Sequence, residues 1–364
     1  MAGAFEQART LFLEGVAHYE AGRLEPAERH FAAALALAPG RPSVLTNLGT
    51  VRLKLGRTEE ALALLQEAVA LEPDNAEALG HCATAHAELG HLPQALAMFE
   101  RALAIAIGPA PVLWMYRGNV LKALGRPDEA AGSYREALAR GGDAELLNYY
   151  LAGLAQGDAP AHPPRHYVEG LFDGYAGEFD RHVVEALRYD APQVLVGRLA
   201  ALGRRWAHAV DLGCGTGLCG RLLRPLVDRL GGVDLSAGML EKAAAQGVYD
   251  DLQRGDVLEH LQASRESIEL AICADVFIYV GALEGVFAAL ARRMPAGGSF
   301  CFSVEESREG EVVLRPSLRY AHSEPGIRRL AEQHGFRVVA MERRAVREDQ
   351  GEPIPGLFFW LEKA

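Results

Sequence analysis

Two carboxylates and three glycines, set at fixed distances, carry the clearest chemistry in this chain. Asp211 is followed by Gly213, Gly215 and Gly217, and Asp234 stands 21 residues beyond Gly213. Glycines let the backbone take positive φ and let a ligand come closer than a Cβ would allow, while the first N–H groups of a helix lack partners within it. A turn of that composition suits a small polar ligand. An acid about 20 residues on, at the end of the next strand, accepts hydrogen bonds from ribose hydroxyls. The expected ligand therefore carries a ribose. Asp275 and Tyr279 leave a later apolar strand, where ligands of open α/β sheets sit beyond the carboxyl ends of the strands. Together with Tyr320 and His322 they are the acceptor-side candidates, with His322, Tyr320 and Tyr279 as possible catalytic groups and no metal ligands expected.

These residues need a scaffold of alternating strands and helices. The apolar run Ala207 to Leu212 reads as a strand and Leu218 to Val227 as a helix. Arg229 to Asp234 reads as a second strand, and Ser236 suits the cap of the helix that follows. Gln253 to Val257 ends a third strand at Asp256, and Ile268 to Ala274 forms a fourth. Helices over Leu283 to Met294 and Ala321 to His334 flank a strand over Ser299 to Val304. Phe336 to Val346 and Leu357 to Leu361 close the sheet as a hairpin, seven strands in all.

The first part of the chain repeats itself. Gly22, Gly56, Gly90 and Gly125 recur at steps of 34, 34 and 35 residues. In the same register stand Ala27, Ala61, Ala95 and Ala130, then Phe31, Leu65, Phe99 and Tyr134. Gly15, Gly49, Ala83 and Gly118 mark small positions on the first helix of each unit. Small residues let two antiparallel helices touch, and the larger ones fill the gap between units. This pattern resembles the tetratricopeptide repeat, over about 135 residues. The resemblance implies a stacked helical array whose groove holds a protein or peptide partner. Thr46, Thr50, Lys54, Thr84, Asn119 and Lys122 would face that groove. Asp143 to Gln156 reads as a capping helix, and the prolines of 157–164 mark a boundary. The expected domains are residues 1–157, an all-α solenoid, and 158–364, an α/β domain.

A nicotinamide dinucleotide also binds through a glycine turn, but its fingerprint puts the third glycine where Leu218 stands and an apolar residue where Asp211 stands. An acid followed by Gly-x-Gly-x-Gly instead resembles the S-adenosylmethionine loop of the class I methyltransferases. That resemblance covers residues 165–364 and implies a seven-stranded Rossmann-like sheet and the cofactor S-adenosyl-L-methionine, with S-adenosyl-L-homocysteine as product. It implies further that Asp211, Gly213, Cys214 and Gly215 lie against the amino-acid half and that Asp234 and Leu235 lie at the ribose. Met239, Asp256 and Val257 would lie at the adenine, with Asp275 nearby. The aromatic segment from Tyr167 to Asp180 resembles a lid, in which Tyr175 would bond the methionine carboxylate and Phe172 or Phe179 would shield the sulfonium.

Composition bounds the partners. At 364 residues with 49% hydrophobic and 23% charged residues, the chain suits two ordinary globular domains. A net charge of -11 disfavours nonspecific nucleic-acid binding. The five cysteines contain no C-x-x-C pair, which suits reduced thiols in a cytoplasmic protein. No basic-then-apolar leader opens the chain and no apolar stretch reaches membrane length, so no membrane partner is expected. The whole resembles bacterial proteins that fuse tetratricopeptide repeats to a methyltransferase. Three functions follow: methylation of a protein, peptide or carrier-bound acceptor presented by the repeats; methylation of a small molecule, with the repeats used to form a homodimer; or a scaffold that binds the cofactor without turnover.

Overall fold

The computed structural model describes residues 2–175, 188–263, 265–349 and 351–364. Two compact units divide it, Met1–Leu151 and Ala152–Ala364. In the first, eight helices form four antiparallel pairs: α1 (Ala2–Glu20) with α2 (Leu24–Leu37), α3 (Pro42–Lys54) with α4 (Thr58–Leu71), α5 (Ala76–Glu88) with α6 (Leu92–Ile105), and α7 (Pro111–Ala123) with α8 (Pro127–Ala139). The turn within each pair is made by Gly22, Gly56, Gly90 and Gly125, all at φ between 72° and 76°. A side chain is strained there, which is why the period is written in glycine.

The small positions have a second reason. A Cβ on Gly15 would lie 2.6 Å from the Phe31 ring, one on Gly49 2.7 Å from Leu65, and one on Gly118 2.4 Å from Tyr134. Each large residue thus fills the space opposite the small residue of its own unit, and also reaches the next: Phe31 clusters with Leu48 and Val51. α9 (Ala144–Gly153) ends the array, with Asp143 accepting from the Leu146 N–H at its start and Tyr150 packed on Tyr134.

The expected groove residues divide. Thr46 and Thr50 are buried, Thr50 Oγ1 donating to the Thr46 carbonyl, and Thr84 donates to the Gly80 carbonyl. Asn119 accepts from the Tyr134 hydroxyl at 2.9 Å. The Lys54 and Lys122 ammonium groups stand 4.8 and 6.0 Å from the centres of the Tyr19 and Tyr150 rings. Thr84 and Asn119 share a cavity of about 280 Å³ with Phe99 and Tyr116, whose rings stack at 6.2 Å.

The second unit begins with α10 (Arg165–Tyr175) and α11 (Ala191–Ala201), then alternates: β1 (Trp206–Leu212), α12 (Leu218–Leu223), β2 (Val227–Asp234), α13 (Ala237–Ala245), β3 (Asp251–Arg254), α14 (Val257–Ala263), β4 (Leu270–Cys273), α15 (Glu284–Arg293) and β5 (Ser299–Glu306). The segment after β5 holds two short strands, β6 (Val312–Leu314) and β7 (Tyr320–His322), before α16 (Glu324–Gln333). The helix starts later than Ala321 because Ser323 caps it, accepting from the Gly326 N–H. β8 (Phe336–Asp349) and β9 (Glu352–Lys363) form the closing hairpin. β3, β2, β1, β4 and β5 lie side by side in that order, all parallel, and β9 adds antiparallel to β5. The expected seven strands are therefore present, and β6 and β7 add an extension at the carboxyl end of β5.

Alternation builds the core. Ala209, Leu270, Ile272 and Cys301 pack on α11 and α12, while Val210, Ala271, Phe300 and Phe302 face α14 to α16 from the other side. All five cysteines are unpaired and buried. No helix among the described residues is long and apolar enough to cross a membrane.

A pair of substitutions on α8 and its partner tests the helix-contact argument. Gly118→Ala is expected to lower stability by about 1–3 kcal/mol through overpacking against Tyr134. Gly132→Ala, with nothing within 4 Å of its added methyl, is expected to raise it by about 0.5–1 kcal/mol. Urea unfolding of both variants reads the two signs.

Candidate functional site

The site lies at the carboxyl ends of β1, β2 and β4. Gly213, Gly215 and Gly217 stand at φ of 70°, 54° and 94°. Gly213 is needed twice, since a Cβ there would also lie 2.3 Å from Val276. The N–H groups of Gly213 and Cys214 both donate to the Val233 carbonyl, at 2.8 and 2.9 Å, which binds the turn to β2. Asp234 then fastens it: Oδ2 accepts from the Gly215 N–H and Oδ1 from the Ser236 N–H, each at 2.9 Å. A carboxylate oxygen has two lone pairs, so Asp234 can hold the turn and still accept from a ligand.

Asp211 faces inward. It is 1% exposed and accepts from the Tyr249 hydroxyl at 2.7 Å. Burial pushes its carboxyl up to about 7, against the Tyr249 bond that lowers it, with Asp234 raising it further. Asp211, expected against the ligand, is bonded to Tyr249 of the loop before β3 and so ties that loop to the end of β1. Tyr249 carries no motif of its own. Its ring occupies the space that side chains on Gly217, Gly220 and Gly232 would need, at 3.2, 2.3 and 3.0 Å. The small residue at Gly220 and the Gly231-Gly232 pair were the signals that a large group sits there.

The remaining donor-side residues surround this turn. Cys214 and Val257 are buried, and Leu235 is half-buried. Ser236 Oγ accepts from the Met239 N–H at 3.1 Å, as expected of a cap, while Met239 itself is buried below it. Asp256 Oδ1 caps α14, accepting from Leu258 and Glu259 N–H at 2.8 and 3.1 Å. α10 reaches the same place: Ser236 Oγ donates to Asp173 at 2.5 Å, and Phe172 meets Tyr279 edge-on at 5.3 Å. Asp173 was missed because an exposed helix aspartate has no sequence signature. The Tyr175 side chain, Phe179 and the expected helix at 182–187 lie outside the described residues.

On the acceptor side the four expected residues separate. Asp275 leaves β4 at φ 58°, its N–H donating to Ser303 Oγ at 2.9 Å. Arg347 Nη1 donates to both of its oxygens, at 3.0 and 2.9 Å, and Arg347 Nη2 pairs with Glu305. Tyr279 stands close by, bonded to Arg319, and burial raises its hydroxyl. Tyr320 and His322 are held elsewhere. Tyr320 donates to the Pro160 carbonyl at 2.8 Å, and His322 is 2% exposed with Nε2 on the Phe277 and Val280 carbonyls at 3.2 and 2.9 Å. Burial pushes the His322 imidazole down to about 4. Both were expected as reacting groups; β7 turns both into the protein, where Tyr320 is bonded to the segment before α10 and His322 to the segment after β4.

Tyr249→Phe tests the brace under the turn. An acid with a folded pKa near 7 binds a proton that the unfolded chain has released, so stability falls as pH rises from about 4 through 7. Removing the hydroxyl raises that pKa further. The variant is expected to lose about 1–3 kcal/mol, with the loss larger at pH 8 than at pH 5 in denaturant titrations.

Comparison with known proteins agrees with this geometry. Residues 40–107 and residues 82–145 match family models of the tetratricopeptide repeat, and residues 210–302 match that of a methyltransferase domain. Malonyl-[acyl-carrier protein] O-methyltransferase of Yersinia pestis is 33% identical over 108 residues, 29% of this chain and 40% of that protein. Methyltransferase-like protein 27 of Homo sapiens is 40% identical over 86 residues, 22% and 35% of the two chains. The chain thus spans less than half the length of the curated relatives it matches. Among solved structures, magnesium protoporphyrin IX methyltransferase of Synechocystis PCC 6803 covers 55% of this chain and 99% of its own, at 17% identity and a TM-score of 0.45. The chain therefore carries tetratricopeptide repeats within residues 40–145 and a methyltransferase domain at residues 210–302.

Proposed function

We propose that the α/β domain binds S-adenosyl-L-methionine and transfers its methyl group to an acceptor on a protein, peptide or carrier that the repeats present, releasing S-adenosyl-L-homocysteine. The observation that carries the donor is electrostatic. Asp211 and Asp234 are two acids beside one glycine turn, both pushed up by burial, and among the described residues neither is bonded to a lysine or arginine. Such a site favours a cation and repels a pyrophosphate. A sulfonium that also bears an ammonium group fits it, and the lone pairs left on Asp234 suit the ribose hydroxyls.

S-adenosylmethionine supplies an electrophilic methyl group, so the protein has to align an acceptor with it and exclude water. Asp234 and the glycine turn hold the donor. Asp275 and Tyr279, from the next strand along the sheet, stand where the acceptor arrives. The repeats support presentation of a larger acceptor: they offer the aromatic cavity of Phe99 and Tyr116, and the Yersinia relative is by name an enzyme of a carrier-bound group.

Titration calorimetry of the full chain is expected to show binding of both the donor and its demethylated product, and none of a nicotinamide dinucleotide. Asp234→Asn removes one of two acceptor oxygens and is expected to weaken donor binding about 10- to 100-fold. Tyr116→Glu is expected to raise KM for a presented acceptor while leaving donor affinity unchanged. A chain that binds neither donor nor product sinks the reading.

A further inference from the structure

One position of the repeat array departs from its register, and a cavity lies beside it. Tyr19, Leu53, Ala87 and Lys122 each stand three residues before the glycine of their unit, Gly22, Gly56, Gly90 and Gly125. In the first unit Tyr19 packs against Phe31, Leu48 and Val51, and in the second Leu53 packs against Leu65 and Cys82. The third unit has Ala87 there, and the cavity of about 280 Å³ is lined by Ala87, Phe99 and Tyr116. An alanine thus stands where the two preceding units place a large side chain. A cavity of about 150 Å³ takes a benzene, so this one has room for the side chain of a leucine, methionine or phenylalanine.

Two of its polar groups come as a donor and an acceptor. Thr84 and Asn119 each stand six residues before the glycine of their unit, on the first helices of adjacent units, and both line the cavity. Thr84 Oγ1 gives its hydrogen to the Gly80 carbonyl at 3.1 Å and keeps its lone pairs. Asn119 Oδ1 accepts from the Tyr134 hydroxyl at 2.9 Å, which turns the N–H groups of the amide away from Tyr134. One acceptor and one donor on the wall of an apolar cavity match a peptide group, with its N–H and its C=O. An acyl ester or thioester offers acceptors only and would leave Thr84 unmatched.

Glu88 sets the sign of the site. It lines the same cavity, is exposed, and accepts from Thr58 Oγ1 at 2.9 Å. Among the described residues no lysine or arginine bonds it. Lys54 holds the corresponding position of the second unit, so the third unit carries the opposite charge there. A carboxylate beside the cavity favours a basic neighbour of whatever side chain enters and disfavours an acidic one.

We propose that this cavity takes one large apolar side chain of a peptide in which a lysine or arginine stands close by. The side chain lies against Phe99 and Tyr116 in the volume that Ala87 leaves. Its backbone amide meets Asn119 and Thr84, and the basic neighbour faces Glu88. The inference rests on the reading above that the repeats hold a peptide, and it names the chemistry of that peptide.

The test selects random peptides displayed on phage against the immobilised full chain. Sequences with a leucine, methionine or phenylalanine and a nearby lysine or arginine are expected. Acidic sequences, or no enrichment over the starting library, overturn the proposal. A selected peptide is then synthesised with a fluorescent label and its Kd read by anisotropy. The same peptide with alanine for its apolar residue is expected to bind at least about 10-fold more weakly; equal binding overturns the proposal. Ala87→Leu, which copies the second unit, is expected to raise the Kd by a similar factor while keeping a cooperative urea transition, and an unchanged Kd in that folded variant overturns the part given to the cavity. Glu88→Gln is expected to raise the Kd about 2- to 5-fold at low salt and to leave it unchanged at high salt; no change at low salt overturns the pairing with Glu88. A dimer in sedimentation that Ala87→Leu dissolves assigns the cavity to a second copy and overturns the peptide. Failure of the full chain to bind S-adenosylhomocysteine in calorimetry overturns the methyl-transfer reading instead.

Discussion

The second unit depends on one constraint: a backbone turn that must be left-handed at Gly213, Gly215 and Gly217 and yet rigid. Glycine supplies the conformation at an entropic cost, so rigidity has to come from neighbours. Three of them provide it. The Val233 carbonyl takes two N–H groups, the Asp234 carboxylate takes a third, and the Asp211–Tyr249 pair fills the space beneath. Each comes from a different part of β1, β2 or the loop before β3, so the turn is shaped only when the sheet is assembled. The geometry of the turn is thereby set by folding.

Much of this was legible in the residues, and the reason is local. A positive φ leaves glycine as its trace, and a close helix contact leaves a small residue opposite a large one. The turn at Gly213 and the pairs Gly15 with Phe31 and Gly118 with Tyr134 could be read for that reason. The Ser236 cap could be read because capping acts over three residues. What was hidden depends on distance along the chain or on burial. Arg347 meets Asp275 and Glu305 from 72 and 42 residues away, and the bulge that turns it inward shifts the alternation just where the strand was expected to stop, at Val346. His322 was the best placed histidine by topology, yet topology does not say that β7 would turn it into the protein. Nor does the motif around Asp211 show that Tyr249 would bond it from 38 residues away.

The glycine turn and the ends of β4 and β5 differ in how they treat charge. Asp211 and Asp234 are held by N–H groups and a hydroxyl, with no cation bonded to either among the described residues. Asp275 and Glu305 are matched by arginines on every side. Burial raises both acids, Asp211 to about 7. At the ends of β4 and β5 the arginines already neutralise the acids.

That contrast explains why the two groups of residues sit on adjacent strands without neutralising each other. Asp211 lies on β1 and Asp275 just beyond β4, strands that pair directly, with Asp211 opposite Ile272. If Arg347 reached Asp211, the glycine turn would lose its negative character and Asp275 its partner. Its guanidinium is kept in place by three bonds to acids that leave β4 and β5, and Arg315 anchors the Glu305 end from β6's far side. The bulge in β8 sets how far the side chain extends. A sheet that alternated strictly through Arg347 would place Val346 and Arg347 on opposite faces, so a single inserted residue lets both be buried and lets Arg347 meet the acids at the ends of β4 and β5.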